Sequence, residues 1–319
     1  MASQKMIEME IKQLRTFITI LETQNLTKAA QILNLVQPAV TKQLQLLEDD
    51  LGTSLFKRSR LGMTLTQEGK RFEPYARRIL EEVEKSRLVL RDSEQEIEGK
   101  INIGVLSSVS ELLSTLLMKV IKSKYPKIQI KLSVGYSGHL KQWLEDGDID
   151  IALMYGTLAS PTIRLLPLVE EALFVIGSNQ TTLNEEDQLS LEQVSQLPMI
   201  LPYHPHRLRA LVEQALGEQQ QHLNIYAETN DLNVQKHMVM ENIGYTILPL
   251  VAVRQEYSQE KIKISRIRST EFSRTVALAK HKTRAQPKYI QVIEHEIITC
   301  IQTAIHSNEW PHARLLTEL

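Results

Sequence analysis

The sequence predicts an α/β protein in three parts: an N-terminal winged helix-turn-helix, a long linker helix and a two-lobed α/β domain. Three observations predict it. Residues 26–51 hold two short amphipathic helical patterns around a tight break. A basic, Gly-containing turn between two apolar–polar alternations follows directly, and from Gly99 onward strand and helix patterns alternate. The expected boundaries are 1–66 for the first part, 67–98 for the linker and 99–319 for the last. Within the last, lobe I covers about 99–167 and 272–307, and lobe II about 168–271.

The helix-turn-helix comes first. Ala29, Ala30 and Leu33 give the leading helix a small-residue face, which lets the next helix approach closely. That second helix opens at Gln37-Pro38, and proline suits a first turn because the N–H it lacks would have no partner there. Val40, Leu44, Leu47 and Leu51 recur at the 3.6-residue period and face a core. The opposite face carries Thr41, Lys42 and Gln45, with Gln37 and Pro38 at its exposed start and Thr27 at the start of the helix before it. Such a second helix can enter the major groove with its N-terminal side chains against base edges. Leu55 to Thr66 then reads as a β-wing, with Lys57, Arg58 and Arg60 where a phosphate backbone would run. An αα-hairpin with a solvated outer face accounts for the helices alone, but not for a basic wing directly after them.

From Thr66 to about Glu96 the chain is rich in helix formers, with Pro74 as a kink. Phe72, Ala76, Ile79, Val83, Ser86 and Leu90 alternate in steps of four and three, the spacing of a coiled-coil seam. About thirty such residues make a rod of roughly 45 Å, too narrow in its apolar stripe to stand alone. It folds on its own domain or pairs with a second copy, and pairing is the expectation.

After Gly99, strands are expected at Lys100–Val105, Ile128–Val134 and Ile149–Met154, with helices from about Ser108 and Gly138. A second set begins near Leu168: strands at Ala172–Ile176, Met199–Leu201, Asn224–Ala227 and Thr246–Leu248, with helices from about His206 and across Leu232–Glu241. The strand Thr275–Ala279 and the helix Lys288–Ser307 return to the first lobe. Repeated β-α-β units imply a parallel sheet, whose ligands bind beyond the carboxyl ends of the strands, here between the lobes. That rule selects Ser107 and Ser108, Ser137, Tyr155, Tyr203, His204 and Thr229 as candidate binding residues. Free N–H groups at helix starts favour anions, though Ser and Thr there also serve as plain N-caps.

The signature positions resemble a known family. Leu14-Arg15-Thr16-Phe17, Leu26-Thr27-Lys28-Ala29-Ala30, Gln37-Pro38-Ala39-Val40-Thr41, Leu47-Glu48, Leu51-Gly52, Leu55-Phe56-Lys57-Arg58 and Leu65-Thr66-Gln67-Glu68-Gly69 are similar to the N-terminal domain of LysR-type transcriptional regulators. The resemblance implies a dimer through the linker helix, assembling further to a tetramer, and a periplasmic-binding-protein-like effector domain. It also implies a palindromic promoter site in double-stranded DNA, a small-molecule effector and RNA polymerase as partners. Ser107, Ser108, Ser137 and Thr229 match its effector-contact positions. Two departures stand out. Val36 sits where the family often has a capping Ser, and Thr41-Lys42 where Ser and Arg are frequent. A Lys lacks the planar fork of an Arg, so different bases are expected.

Composition fits this reading. The net charge is −1, yet residues 1–95 hold fifteen Lys and Arg against thirteen Asp and Glu, so a local basic strip is expected rather than a basic body. Cys300 is the only cysteine, which excludes an intramolecular disulfide and a cysteine zinc cluster, and it reads as core. His204 and His206 flank a proline and do not form a helical metal pair, the acidic run Glu145–Asp150 lacks calcium-loop spacing, and neither metal nor cofactor is expected. Asn184–Asp187 and Gln219–Gln221 read as exposed loops. With no apolar run of membrane length and no signal-peptide core, the chain is expected to be cytoplasmic. No nucleophile–base constellation suggests an enzyme. The expectation is a ligand-responsive DNA-binding regulator; the alternative is a constitutive DNA-binding architectural protein or repressor whose sensor takes no ligand.

Overall fold

The computed structural model describes residues 9–59, 62–89, 97–156, 160–218, 222–268 and 272–316. Arg60 in the wing turn, Leu90 of the expected seam and the Gln219–Gln221 loop lie outside them. The chain forms two compact units, one N-terminal and one spanning the remainder.

In the first unit, α1 (Ile11–Thr23), α2 (Leu26–Ile32) and α3 (Gln37–Leu51) precede the hairpin β1 (Phe56–Ser59) and β2 (Gly62–Leu65), and α4 (Gln67–Val89) follows. Leu14, Phe17 and Ile20 of α1 meet Ala29 and Ala30 of α2 and Val40, Leu44 and Leu47 of α3 in one buried cluster. Phe17 is its centre, with ring centroids 5.2 Å from Phe56 in the wing and 5.3 Å from Phe72 in α4. Glu48 fixes the turn into the wing, because its carboxylate accepts from Leu55 N at 2.6 Å and Phe56 N at 3.1 Å. Gly69 could not be another residue without movement: a Cβ there would stand 2.2 Å from the Leu55 carbonyl oxygen.

The linker helix divides the expected seam. Ala76 is buried, and Phe72 and Ile79 pack against the same cluster, so these three face α1 rather than solvent. Arg77 Nη1 to Glu22 (3.1 Å) and Arg15 Nη2 to Glu84 (2.8 Å) tie α4 to α1 on the surface. Packing on its own domain thus claims the first half of the stripe. Val83 and Ser86 are not part of that buried cluster.

The second unit begins with β3 (Gly99–Leu106), α5 (Ser107–Lys124), β4 (Ile128–Gly135), α6 (Ser137–Asp146) and β5 (Ile151–Tyr155). Then come β6 (Ile163–Ser178), β7 (Gln188–Leu189), α7 (Leu191–Gln196), β8 (Met199–Leu201), α8 (Arg207–Gly217), β9 (Ile225–Glu228), α9 (Leu232–Met240) and β10 (Thr246–Pro249). After a 3-10 turn at Leu250–Val253 follow α10 (Arg254–Ser258), β11 (Ile262–Ile267), β12 (Ser273–His281), α11 (Lys288–His306) and β13 (Ala313–Leu315).

The expected parallel sheet is mixed. Strands β4, β3 and β5 are parallel, whereas β12, β6, β10, β11 and β13 pair antiparallel. The reason is β6. This strand of sixteen residues belongs to both lobes: its first part pairs with β12 and β13, and from Leu173 it pairs with β10 and β11. A strand that crosses between lobes and a second one that returns beside it must run in opposite directions. The second lobe is completed by the parallel pair β8–β9 and a core from Leu173 to Phe272.

Of the acidic run, Glu145 and Asp146 end α6 rather than joining the turn, which begins at Gly147; Ile149 is buried and Asp150 accepts from Asn102 N at 2.9 Å. Cys300 is buried in α11, where burial pushes its thiol up to about 11.

Candidate DNA interface and effector cleft

In the N-terminal unit, α3 starts without a side-chain cap: Val36 is the N-cap residue, and its side chain is 70% exposed. By contrast α2 is capped by Asn25, which accepts from the N–H groups of Thr27 and Lys28. Thr27 donates its hydroxyl to Gln37 Oε1 at 3.0 Å, joining the start of α2 to the start of α3. The amide NH2 of Gln37 therefore points away from that bond with its donors available. Thr41 Oγ1 bonds back to the Gln37 carbonyl at 3.1 Å, while Gln37, Pro38, Thr41, Lys42 and Gln45 are all exposed. On the wing, Lys57 and Arg58 are exposed opposite Thr64 and Met63. Gly62, at φ +111°, lies against the Gln24 carbonyl, which accepts from Met63 N at 2.9 Å and seats the wing on the end of α1.

In the larger unit, a cleft is lined from the first lobe by the starts of α5 and α6 and from the second by the loop before α8. Ser107, Ser108, Ser137 and Tyr155 line it, as does Tyr136. Neither α5 nor α6 has a side-chain cap, since Leu106 and Tyr136 occupy the cap positions. Their first N–H groups therefore have neither an intrahelical partner nor a side-chain cap. Ser137 is buried and accepts from Tyr155 N at 2.9 Å, which joins the α6 start to β5 and leaves its own hydroxyl hydrogen to donate. Tyr155 OH bonds Ser108 Oγ.

Three expected residues lie elsewhere. Tyr203 is half exposed, and His204 is exposed and pairs with Glu213 (Nε2–Oε2, 3.0 Å). Thr229 accepts from Asp231 N at 3.1 Å in the loop that starts α9. None of the three is among the residues lining the cleft. The histidine that enters is His206, past the proline: its ring meets Tyr136 edge-on at 4.6 Å. Burial, with the nearby Arg274, lowers its pKa to about 4, so it is neutral at neutral pH. Burial likewise raises the Tyr136 phenol to about 12, with the Asp231 charge adding to the effect.

Sequence reasoning missed the two guanidinium groups of the cleft. Arg207, the first residue of α8, reaches the backbone of Gly156 across the cleft: a Cβ there would stand 3.5 Å from its guanidinium carbon. Arg274, at the start of β12, lies over the Tyr155 ring and pairs with buried Glu171 (Nε–Oε1, 2.7 Å). Local pattern could have flagged Arg207, since it opens a helix just after a strand-end loop. Nothing local marks Arg274, which belongs to a strand from a distant part of the chain. Among the described residues no group of three or more His, Cys, Asp and Glu could hold a metal ion, and no helix is long and apolar enough to cross a membrane.

A winged helix-turn-helix joined to a two-lobed α/β domain with an interlobe cleft defines a DNA-binding regulator with an effector-binding domain. The comparisons agree. The model described as LysR substrate binding domain matches residues 94–296, and that of the bacterial regulatory helix-turn-helix protein, lysR family, matches residues 11–70. The chain is 24% identical over 298 residues to the HTH-type transcriptional regulator BbuR of Bordetella bronchiseptica, covering 93% of this chain and 92% of that one. It is 30% identical over 245 residues to the HTH-type transcriptional regulator CzcR of Bacillus anthracis, covering 77% and 82%. Among solved structures, a full-length OxyR variant from Pseudomonas aeruginosa superposes with a TM-score of 0.67 at 22% identity, covering 91% of this chain and 95% of that one. CbnR in complex with its target DNA gives 0.63 at 21%, covering 92% and 100%. The chain belongs to the LysR family of transcriptional regulators.

Proposed function

We propose that this regulator binds a palindromic promoter site as a dimer or tetramer and takes a small anion in its interlobe cleft. The observation that carries the anion is a convergence: two uncapped helix starts face the same cleft as the guanidinium groups of Arg207 and Arg274. Partial positive charge at helix starts, the charge of Arg207 and the N–H donors of Arg274, whose own charge is balanced by Glu171, together favour a carboxylate or an inorganic oxyanion. Ser107, Ser108 and Ser137 supply hydroxyl donors, and neutral His206 adds no competing charge. Tyr203 and His204 belong to the loop whose Pro202, Pro205 and His206 line the cleft, and Thr229 to the loop before α9, so a ligand large enough to extend along the second lobe meets them.

On the DNA side, Gln37, Thr41, Lys42 and Gln45 read base edges, with Thr27 and Pro38 setting the helix entry. Lys57, Arg58 and Arg60 hold the phosphate backbone. Of the structural neighbours, CbnR is described with its target DNA, which supports the same use of this unit. The part of the α4 stripe outside the buried cluster pairs with a second copy and sets two recognition helices on one site. Effector binding favours one lobe arrangement over another and so shifts how the dimers sit on DNA, with RNA polymerase as the downstream partner.

Thermal-shift screening of the full chain against organic and inorganic anions, with uncharged analogues alongside, tests the ligand class. Anions that raise the midpoint should also alter DNase footprints on promoter DNA flanking the chain's own gene. Stabilisation by the uncharged analogues alone would overturn the anion. Footprints unchanged by every stabilising compound would instead favour the constitutive DNA-binding alternative.

A further inference from the structure

Three buried polar side chains from three distant segments form a relay that ends in the cleft. Glu171 on β6 is 1% exposed, and both of its carboxylate oxygens are engaged. Oε1 accepts from Arg274 Nε at 2.7 Å, and Oε2 accepts from the indole Nε1 of Trp310 at 2.8 Å. Trp310 comes from the segment after α11 and is itself 1% exposed. At the other end, Arg274 donates from Nη2 to Ser108 Oγ at 3.4 Å and lies on the Tyr155 ring. A guanidinium carries five N–H donors. Its two hydrogen bonds here leave further donors on a residue that lines the cleft.

The segment that carries Trp310 is strapped down by backbone bonds. Trp310 N donates to Ala304 O at 2.9 Å, Ala172 N donates to His312 O at 3.1 Å, and Leu316 N donates to Leu168 O at 2.9 Å. Ala313 pairs with Glu171 itself in the β13–β6 ladder, while Arg274 pairs with Glu171 on the other side. Glu171 therefore sits just before the point where β6 exchanges first-lobe partners for second-lobe ones.

We propose that Trp310 is a positioning residue of the effector cleft. Its indole N–H pins Glu171, Glu171 orients Arg274, and Arg274 presents its free N–H groups to the anion. The C-terminal strap is thus part of the sensor rather than a packing appendage. The physical reason is the cost of leaving a buried carboxylate oxygen without a donor. Once the indole N–H is gone, Oε2 loses the donor that fixes it, and the carboxylate is free to turn toward its other neighbour, the Tyr155 hydroxyl, and away from the short Nε contact that holds the guanidinium. The inference rests on reading the cleft as the effector site.

Phenylglyoxal, which modifies arginine side chains, reports the held state directly when rates are read peptide by peptide by mass spectrometry on the full chain. Trp310→Phe keeps an aromatic ring and removes the donor. Arg274 should then react about tenfold faster, the factor that corresponds to roughly 1.4 kcal/mol for a lost hydrogen bond to a charged group. Arg254, whose Nη1 bonds the Glu309 carbonyl at 3.4 Å and its carboxylate at 3.2 Å on the same strap, should react at its wild-type rate, which a general loosening of the strap would not allow. Should Trp310→Phe fail to fold, Glu171→Gln provides the second variant, with the same rise expected at Arg274. An unchanged Arg274 rate in a folded variant, or equal rises at Arg274 and Arg254, overturns the relay. A separate arm adds benzoate and inorganic phosphate to the wild-type chain: protection of Arg274 supports the anion cleft. Absence of protection with the variant effect intact counts against the effector reading and leaves the relay standing.

Discussion

The guanidinium carbon of Arg274 stands 3.6 Å from the centre of the Tyr155 ring. The two residues come from β12 and β5, neighbouring strands of the sheet. The cation lies on an aromatic face while Glu171 neutralises it from the side, so a buried charge is held by stacking and by a carboxylate together. Arg274→Met removes the cation and leaves Glu171 buried with an unpaired charge. A loss of about 3–5 kcal/mol in urea unfolding of the full chain is expected, the range for breaking a buried pair. Tyr155→Phe keeps the stacking and loses the hydroxyl bonds to Ser108 and Glu171, so its cost should be nearer about 2 kcal/mol. Equal costs for the two would mean that the ion pair is not what holds this site.

His206 gives a pH signature. Its folded pKa is lowered to about 4 from an ordinary 6.5, first by burial and then by Arg274. The unfolded chain therefore takes up a proton at a higher pH than the folded one. The stability from this residue is complete above pH 6.5 and is lost as pH falls from there toward 4, to a limit of about 3 kcal/mol. Urea midpoints of wild type and His206→Gln, measured at intervals across that window, should show the steeper fall in the wild type. Parallel curves would mean that His206 titrates normally in the folded protein.

The start of α3 offers a gain. Val36 holds the cap position with an exposed aliphatic side chain that cannot accept from the first N–H groups. Val36→Ser supplies the missing acceptor and should stabilise the chain by about 1 kcal/mol, read as an upward shift of the thermal midpoint. A midpoint at or below that of the wild type would show that the free N–H groups already have solvent partners as good.

On DNA, the residues divide by what they touch. Gln37→Ala and Lys42→Ala should lose about 1–3 kcal/mol of discrimination between operator and random duplex, whereas Arg58→Ala should weaken both and lower the salt slope by about one ion. The Thr27–Gln37 hydrogen bond adds a sharper case. Thr27→Val frees the Gln37 side chain to rotate, so it should lose discrimination without lowering the salt slope. Fluorescence-anisotropy titrations at several salt concentrations separate these outcomes, and identical slopes and ratios for all four variants would contradict the division.

Much of this was legible because local physics repeats. The Phe72, Ala76 and Ile79 spacing was visible as an apolar stripe, but its partner was not: the same stripe suits a second chain or α1, and Phe17 claims it. His206 rather than His204 reaches the cleft because it caps the start of α8, whereas His204 pairs with Glu213 on that helix. Ser107, Ser108 and Ser137 could be found because strand-end loops of open α/β sheets converge. Arg274, Glu171 and Trp310 could not, because each looks ordinary in its own segment and they meet only where β6, β12 and the strap after α11 are neighbours.

By itself the sequence determined the periodicities and the stops: which residues form helices, which faces are apolar, where the wing turns, and that one unit suits DNA and the other a ligand. These follow from steric and hydrophobic preferences acting within a few residues. Tertiary structure alone decided that the large sheet is mixed, that α4 rests on α1, and that a tryptophan after α11 and an arginine of the cleft share one buried carboxylate. Those depend on strand order and on the cost of burying a charge, quantities that no local stretch of chain carries.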